Sequence, residues 1–173
     1  MASGSDSAGE KAFGFLTICD AAGAGTFGGY LLVDLSGRPL EFHCTAPVRV
    51  TRAQEILYGA TLKRQLHGEQ IGGPLLKATA FKPLAVLTDR ESLLHARQHA
   101  SSPVALVRDR PGEPAEGDPG DLRVGGFTVQ PHGDDAGQWE TVQDQLAALA
   151  ASIELVEPFG RIRAAIEEAQ RHS

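Results

Sequence analysis

The stretch at positions 84–107, LAVLTDRESLLHARQHASSPVALV, decides the fold of this chain. It opens and closes with short apolar runs typical of strands, at 84–87 and 104–107, and an amphipathic segment lies between them. The letters TDRE at 88–91 form a capping-box pattern, so we expect a helix at 92–100. The stretch therefore predicts a βαβ unit with two parallel strands and a right-handed crossover.

Strands are also predicted on either side of this unit, at 13–19, 29–35 and 39–44 before it and at 122–130 after it. The compact turn LSGRP joins the strands at 29–35 and 39–44, which is typical of an antiparallel hairpin. A second capping box, TRAQ at 51–54, opens an interrupted helical stretch. Its apolar stripe consists of Ala53, Ile56, Leu57 and Ala60. These elements predict an α/β or α+β domain with a mixed sheet of about five or six strands.

The segment 138–173 carries two narrow apolar stripes of helical spacing, separated by the Glu157-Pro158 break. Such stripes cover either the domain's own sheet or the surface of another chain. As candidate protein-interface residues we take Trp139, Val142, Leu146, Leu149, Phe159, Ile162 and Ile166. The chain thus ends in two amphipathic helices that admit an intramolecular and an intermolecular role.

The domain organisation follows from local composition. Residues 1–11 are small and polar, so we expect a disordered tail, followed by a single domain at 12–173. The stretch 108–121 is rich in Pro, Gly and acidic residues, and we expect a solvated loop there.

Composition limits the partners. The formal net charge of −6 and the lack of a Lys/Arg cluster disfavour direct binding to nucleic acid. No apolar run is long enough to span a membrane, and the N-terminus lacks the features of a signal peptide. The two cysteines, Cys19 and Cys44, are too few for a disulfide framework. We therefore expect a cytoplasmic protein that binds another protein or self-associates.

The glycine-rich turn at Gly23, Gly25 and Gly28 satisfies the letters of a dinucleotide-binding loop. A strand follows it, however, where such a loop requires the N-terminus of a helix. The same residues resemble the glycine loop of protein kinases, but no other kinase motif follows, and a Walker A sequence is absent. We interpret the turn as a hairpin connection and expect no cofactor.

The helix predicted after Thr88 places Glu91, His95 and His99 within an arc of about 80° on one face. Two imidazoles one turn apart can hold a metal ion. Ala96 nevertheless occupies the position of the general-base glutamate in the zinc-protease pattern. An exposed polar face of an amphipathic helix is the alternative, and it is the one we favour.

Three residues are candidates for catalysis. Asp89 and Asp109 follow the two strands of the βαβ unit, at the edge where open α/β sheets collect ligands. Asp89 also fits the first turn of a helix for structural reasons alone. Cys44 lies near a strand end, but His43 should point to the opposite face of that strand, so a buried structural cysteine is the alternative. A Gly-Asp turn with His132, Asp134 and Asp135 needs no ligand to form.

No complete catalytic set is recognisable. The sequence therefore predicts a non-catalytic protein-binding subunit or adaptor of a cytoplasmic complex. The alternative is a small hydrolase- or transferase-like enzyme that uses Asp89, Asp109 or Cys44 near strand ends.

Overall fold

A computed structural model describes residues 10–21, 23–109, 121–133 and 135–172. The fold is mixed α/β around a seven-stranded sheet with the order β3-β2-β1-β4-β5-β7-β6. The strands are β1 Ala12–Ala21, β2 Gly25–Asp34, β3 Pro39–Cys44, β4 Ala85–Thr88, β5 Val104–Asp109, β6 Leu122–Val124 and β7 Phe127–Pro131. The predicted α/β class is confirmed.

The sheet has more strands than the five or six predicted, because the segment 122–130 forms two strands. Gly125 and Gly126 both have positive φ, 58° and 85°. Two adjacent residues of this conformation make the tight turn that suits a hairpin, so Val124 pairs with Phe127 and the chain doubles back. The prediction of a single strand at 122–130 is therefore wrong, because this glycine pair forms a turn within the segment.

The parallel part of the sheet consists of β1, β4 and β5. β1 pairs in parallel with β4, and β4 with β5, while all other neighbours are antiparallel. A 3₁₀ helix, Glu91–His99, connects β4 to β5 in place of the predicted α-helix. The hydroxyl of Thr88 accepts a hydrogen bond from Arg90 N at 3.2 Å, and no side chain caps this helix. The predicted capping box at 88–91 is therefore wrong: Thr88 makes a short local turn instead.

Helices cover both faces of the sheet. The α-helices are α1 Arg52–Tyr58, α2 Gly73–Lys77, α3 Ala136–Ser152 and α4 Glu157–Arg171. A short 3₁₀ turn, Gly59–Thr61, and a π-helix, Arg64–Gly72, lie between α1 and α2. None of the helices in the described parts of the chain is both long and apolar enough to cross a membrane.

Helices α3 and α4 pack on one face of the sheet. The seven residues considered as a protein interface are all buried there, in one core with Phe13, Phe15 and Val129. They are Trp139, Val142, Leu146, Leu149, Phe159, Ile162 and Ile166. The apolar stripes thus cover this chain's own sheet, which would otherwise expose a large apolar surface to water.

The π-helix and the 3₁₀ helix meet on the opposite face at very close range. A Cβ atom added to Gly68 would lie 2.9 Å from the Cβ of His95, and one added to Gly72 would lie 2.7 Å from the Cβ of Ala96. Only glycine leaves room for this approach. The close packing fixes the two helices side by side over a second core that includes Leu16, Leu32 and Val86.

Two predicted segments fall partly outside the described residues: the tail at 1–11 and the acidic loop at 108–121. The described structure places Arg108 and Asp109 in β5, so the predicted start of the loop is wrong. Both residues pair with β7 across an antiparallel ladder.

Candidate functional site

Asp89 lies at the carboxyl end of β4 and is held by two partners. The hydroxyl of Thr17, in β1, donates to Asp89 Oδ1 at 2.6 Å. Arg163, in α4, donates to Asp89 Oδ2 and to the Thr17 hydroxyl, the latter at 2.8 Å. β1 continues beyond the end of β4, which is why Thr17 is within reach. The Asp89 carboxylate therefore links the end of β4 to β1 and α4.

This arrangement offers Asp89 little freedom to act as a base. Both carboxylate oxygens already accept a hydrogen bond, one from the Thr17 hydroxyl and one from the Arg163 guanidinium. Thr17 is fully buried, and the side chains of Asp89 and Arg163 are mostly buried. The cluster stabilises the docking of α4 on the sheet.

Asp109 does not join this cluster. It is exposed in β5, opposite Phe127 of β7. The adjacent Arg108 lies 4.0 Å from the carboxylate of Glu91, itself an exposed side chain. The two aspartates proposed from the sequence as a pair at the sheet edge therefore have separate surroundings.

The three metal candidates do not share a face. Glu91, His95 and His99 belong to a 3₁₀ helix, in which residues three apart are aligned and residues four apart are not. His99 instead lies within 3.0 Å of Glu69, and Leu93 and Ala96 face the core. Within the described ranges, no three His, Cys, Asp or Glu side chains are grouped to hold a metal ion.

The glycine-rich turn connects β1 to β2 as an antiparallel hairpin, as predicted. Gly23 and Gly25 have positive φ, 79° and 111°. A Cβ on Gly25 would lie 2.7 Å from the carbonyl oxygen of Val48, and one on Gly28 would lie 2.1 Å from Ile71 Cγ2. Chain reversal and close packing account for all three glycines.

Cys44 is exposed at the end of β3 and lines a cleft of about 500 Å³. Its neighbours in the cleft are mostly apolar and include Phe27, Pro47 and Ile166. Among the described residues that line this cleft there is no histidine, lysine or arginine, the side chains that could activate a thiol. Burial raises the pKa of the other cysteine, Cys19, and the carboxylate of Glu167 raises it further. A raised pKa leaves less of the reactive thiolate.

His67 belongs to the π-helix and is buried beside the 3₁₀ helix. Its Nδ1 lies 2.5 Å from the hydroxyl of Ser92. Burial lowers the pKa of His67 and outweighs the opposing effect of Asp20. The imidazole is therefore a neutral hydrogen-bonding group of the packed interior near neutral pH.

Helix α1 exposes three large apolar side chains to solvent. The predicted capping box is confirmed: Thr51 Oγ1 accepts from Gln54 N at 3.1 Å, and Gln54 Oε1 accepts from Thr51 N at 2.9 Å. None of the helix residues is buried. Ile56 is 65% exposed, Leu57 83% and Tyr58 39%. We call these three residues the α1 face.

The chain around the α1 face is basic, in contrast with the acidic protein as a whole. Arg49, Arg52 and Lys63 lie between positions 49 and 63, where Glu55 is the one acidic residue. Arg52 is 3.0 Å from the carboxylate of Glu55. The other two cations lie within seven residues of Ile56 in a chain of formal net charge −6.

Comparisons with known protein families and with curated proteins found no match to this chain.

The sequence contained part of the signal for the α1 face. The stripe of Ile56 and Leu57 was visible, but whether it packs inward depends on the position of the helix. Thr17 and Arg163 carried no local signal, since they meet Asp89 across more than 70 residues each.

Proposed function

We propose that this chain is a non-catalytic protein-binding subunit, an adaptor of a cytoplasmic complex, and that the α1 face is its binding surface. The observation that carries the proposal is the exposure of Ile56 and Leu57 on a helix that buries none of its residues. Neighbouring large apolar side chains that are exposed to this extent are costly in water, and a partner that covers them removes that cost.

The helix is formed in the free chain, which supports a role in recognition. The reciprocal hydrogen bonds between Thr51 and Gln54 satisfy backbone groups at its start. A preformed helix loses little conformational entropy on binding, and its apolar side chains can enter a partner's groove.

The cations close to α1 in sequence bear on the chemistry of the partner. Arg49 and Lys63 favour a surface whose apolar centre is bordered by carboxylates. Free cysteines, one of them exposed, are compatible with a reducing compartment.

The test is affinity purification of the tagged chain from its native host, comparing wild type with the Ile56→Asp/Leu57→Asp variant. Two exposed alanines of α3 supply the matched control, Ala148→Asp/Ala151→Asp. We expect a stoichiometric partner that the control retains and the α1 variant loses, with binding weakened by about a hundredfold or more. Equal retention by both variants would contradict the proposal.

Sedimentation of the purified chain separates the two kinds of partner. A dimer that the α1 variant dissociates would identify a second copy of this chain as the occupant of the α1 face. A monomer that binds a different protein through the α1 face would identify an adaptor.

A further inference from the structure

A second surface feature is a cleft of about 460 Å³ on the face of the molecule that carries the π-helix and the 3₁₀ helix. Its lining comes from the start of the π-helix, from the 3₁₀ helix and from the residue that follows β7. The lining residues are Arg64, Leu94, His95, Arg97, Gln98 and His132. Two guanidinium groups and two imidazoles thus converge in a protein whose net charge is negative.

One wall of this cleft is rigid. Arg97 donates to both carboxylate oxygens of Asp135, at 2.7 and 2.9 Å, and to the carbonyl oxygen of Ala100 at 3.0 Å. Asp135 is completely buried, and its charge neutralises that of Arg97. This pair shapes the cleft without adding net charge to it.

The excess positive charge comes from Arg64, which pairs with no carboxylate in the parts of the chain that the structure describes. Burial lowers the pKa of His95, and the neighbouring Arg64 and His132 lower it further, against the opposing effect of Glu91. The charge of Arg64 therefore disfavours the protonated form of His95, and a bound anion would offset that effect.

The acidic residues of the π-helix and of the 3₁₀ helix, Glu69 and Glu91, are engaged elsewhere. Glu69 accepts a hydrogen bond from Gln98 and lies 3.0 Å from the Nε2 of His99. Glu91 lies 4.0 Å from Arg108. Neither carboxylate forms an ion pair with Arg64.

His132 provides a further polar group without a partner. Its Nδ1 is buried and makes no hydrogen bond within the described residues. The backbone N of His132 donates to the carbonyl oxygen of Val104 at 2.9 Å, so the residue is fixed at the end of β7. A buried imidazole nitrogen without a partner is costly, so the described residues leave the hydrogen bonding of His132 incomplete.

We propose that this cleft binds the phosphoryl group of a small phosphate monoester, with Arg64, His95 and His132 as the donors. Three separate donor groups suit the several oxygens of a phosphoryl dianion. The cleft is larger than a phosphate ion requires, which leaves room for the organic remainder beside Leu94. This site is independent of the α1 face.

The test follows the histidine ring resonances by NMR at pH 6.5 while inorganic phosphate or phenyl phosphate is added at constant ionic strength. We expect saturable shifts at His95 and His132 with both anions, and tighter binding of phenyl phosphate. Arg64→Gln should weaken both by about tenfold or more, because a charge-assisted hydrogen bond is lost. Arg38→Gln, at an exposed ion pair elsewhere, is the matched control.

Several results would overturn the proposal. One is a set of histidine shifts that do not saturate, and another is a failure of phenyl phosphate to bind. A third is an Arg64→Gln variant that binds both anions as tightly as the wild type does. Arg64 is exposed, so its substitution leaves the packed interior unchanged. A loss of anion binding by this variant is therefore not caused by misfolding.

Discussion

Asp135 is completely buried and accepts two hydrogen bonds from Arg97, from Nε at 2.7 Å and from Nη2 at 2.9 Å. The same carboxylate accepts from the backbone N of Val104 at 3.2 Å. One side chain thus joins the 3₁₀ helix, the first residue of β5 and the start of α3. The 3₁₀ helix and α3 cover opposite faces of the sheet, so the pair of Arg97 and Asp135 connects the two helical layers.

Replacing Asp135 with Ala should lower the free energy of unfolding by about 3 kcal/mol, because Arg97 and the Val104 amide lose their buried acceptor. Arg38→Ala is the control, since its pair with Asp34 is 3.5 Å long and Arg38 is 73% exposed. That variant should lose less than about 1 kcal/mol. Urea denaturation measures both, and equal losses would contradict a dominant role for the buried pair.

Gly28→Ala should destabilise the fold by about 1–3 kcal/mol, because the added Cβ would lie 2.1 Å from Ile71 Cγ2. Gly160→Ala is the matched control: it lies in α4 with no atom within 4 Å of its added Cβ, so the better helix propensity of alanine should stabilise the chain. Thermal unfolding distinguishes the two. An unchanged melting temperature for Gly28→Ala would mean that the close packing of β2 on the π-helix is absent.

The Asp89 cluster should behave as a structural unit. In a double-mutant cycle of Asp89→Ala and Arg163→Ala, we expect a coupling energy of about 1 kcal/mol or more, since the two groups share a partly buried ion pair. The exposed pair Arg171 and Glu168 is the comparison and should show almost none. Additive effects at Asp89 and Arg163 would show that the contact does not contribute to stability.

The buried His67 should make stability depend on pH. Its pKa is lowered in the folded state, so the unfolded chain binds more protons as the pH falls below the ordinary pKa of about 6.5. The free energy of unfolding should therefore be highest above that pH and decrease between about pH 7 and pH 5. His67→Gln should make this decrease shallower, as measured by urea denaturation across the range.

The control is His172→Gln, which removes an imidazole that is 75% exposed at the end of α4. A decrease with pH that His67→Gln leaves unchanged would assign the dependence to other groups.

The sequence was sufficient where local rules decide the structure. The capping box of Thr51 and Gln54 forms as predicted, and the apolar runs at 84–87 and 104–107 became the parallel strands β4 and β5. The class of the fold followed from these elements. Local hydrogen bonding and hydrophobic periodicity act within a few residues, so one sequence reveals them.

The sequence was insufficient where contacts between distant segments decide the structure. The 3₁₀ form of Glu91–His99 accompanies close contact with Gly68 and Gly72, more than 20 residues away. That geometry separates His95 from His99 and brings His95 to Arg64 and His132. Neither the dispersal of the metal candidates nor the assembly of the cationic cleft has a local signal.

The exposure of α1 likewise depends on how distant segments of the chain pack. Ile56 and Leu57 have the spacing of an inward-facing stripe, and only their position relative to the sheet shows that they face outward. By contrast, the stripes of Trp139 and Phe159 have similar spacing and are buried. Periodicity identifies an apolar face but does not identify what covers it.

A partner that covers the α1 face should be detectable by direct crosslinking. The most direct measurement places a photo-crosslinking amino acid at Leu57 in the native host, with Ala148 of α3 as the control position. A discrete crosslinked species that forms at Leu57, is absent at Ala148 and disappears when Ile56 is replaced with Asp is the predicted result. No crosslinked species at Leu57, or the same species from both positions, would contradict the claim.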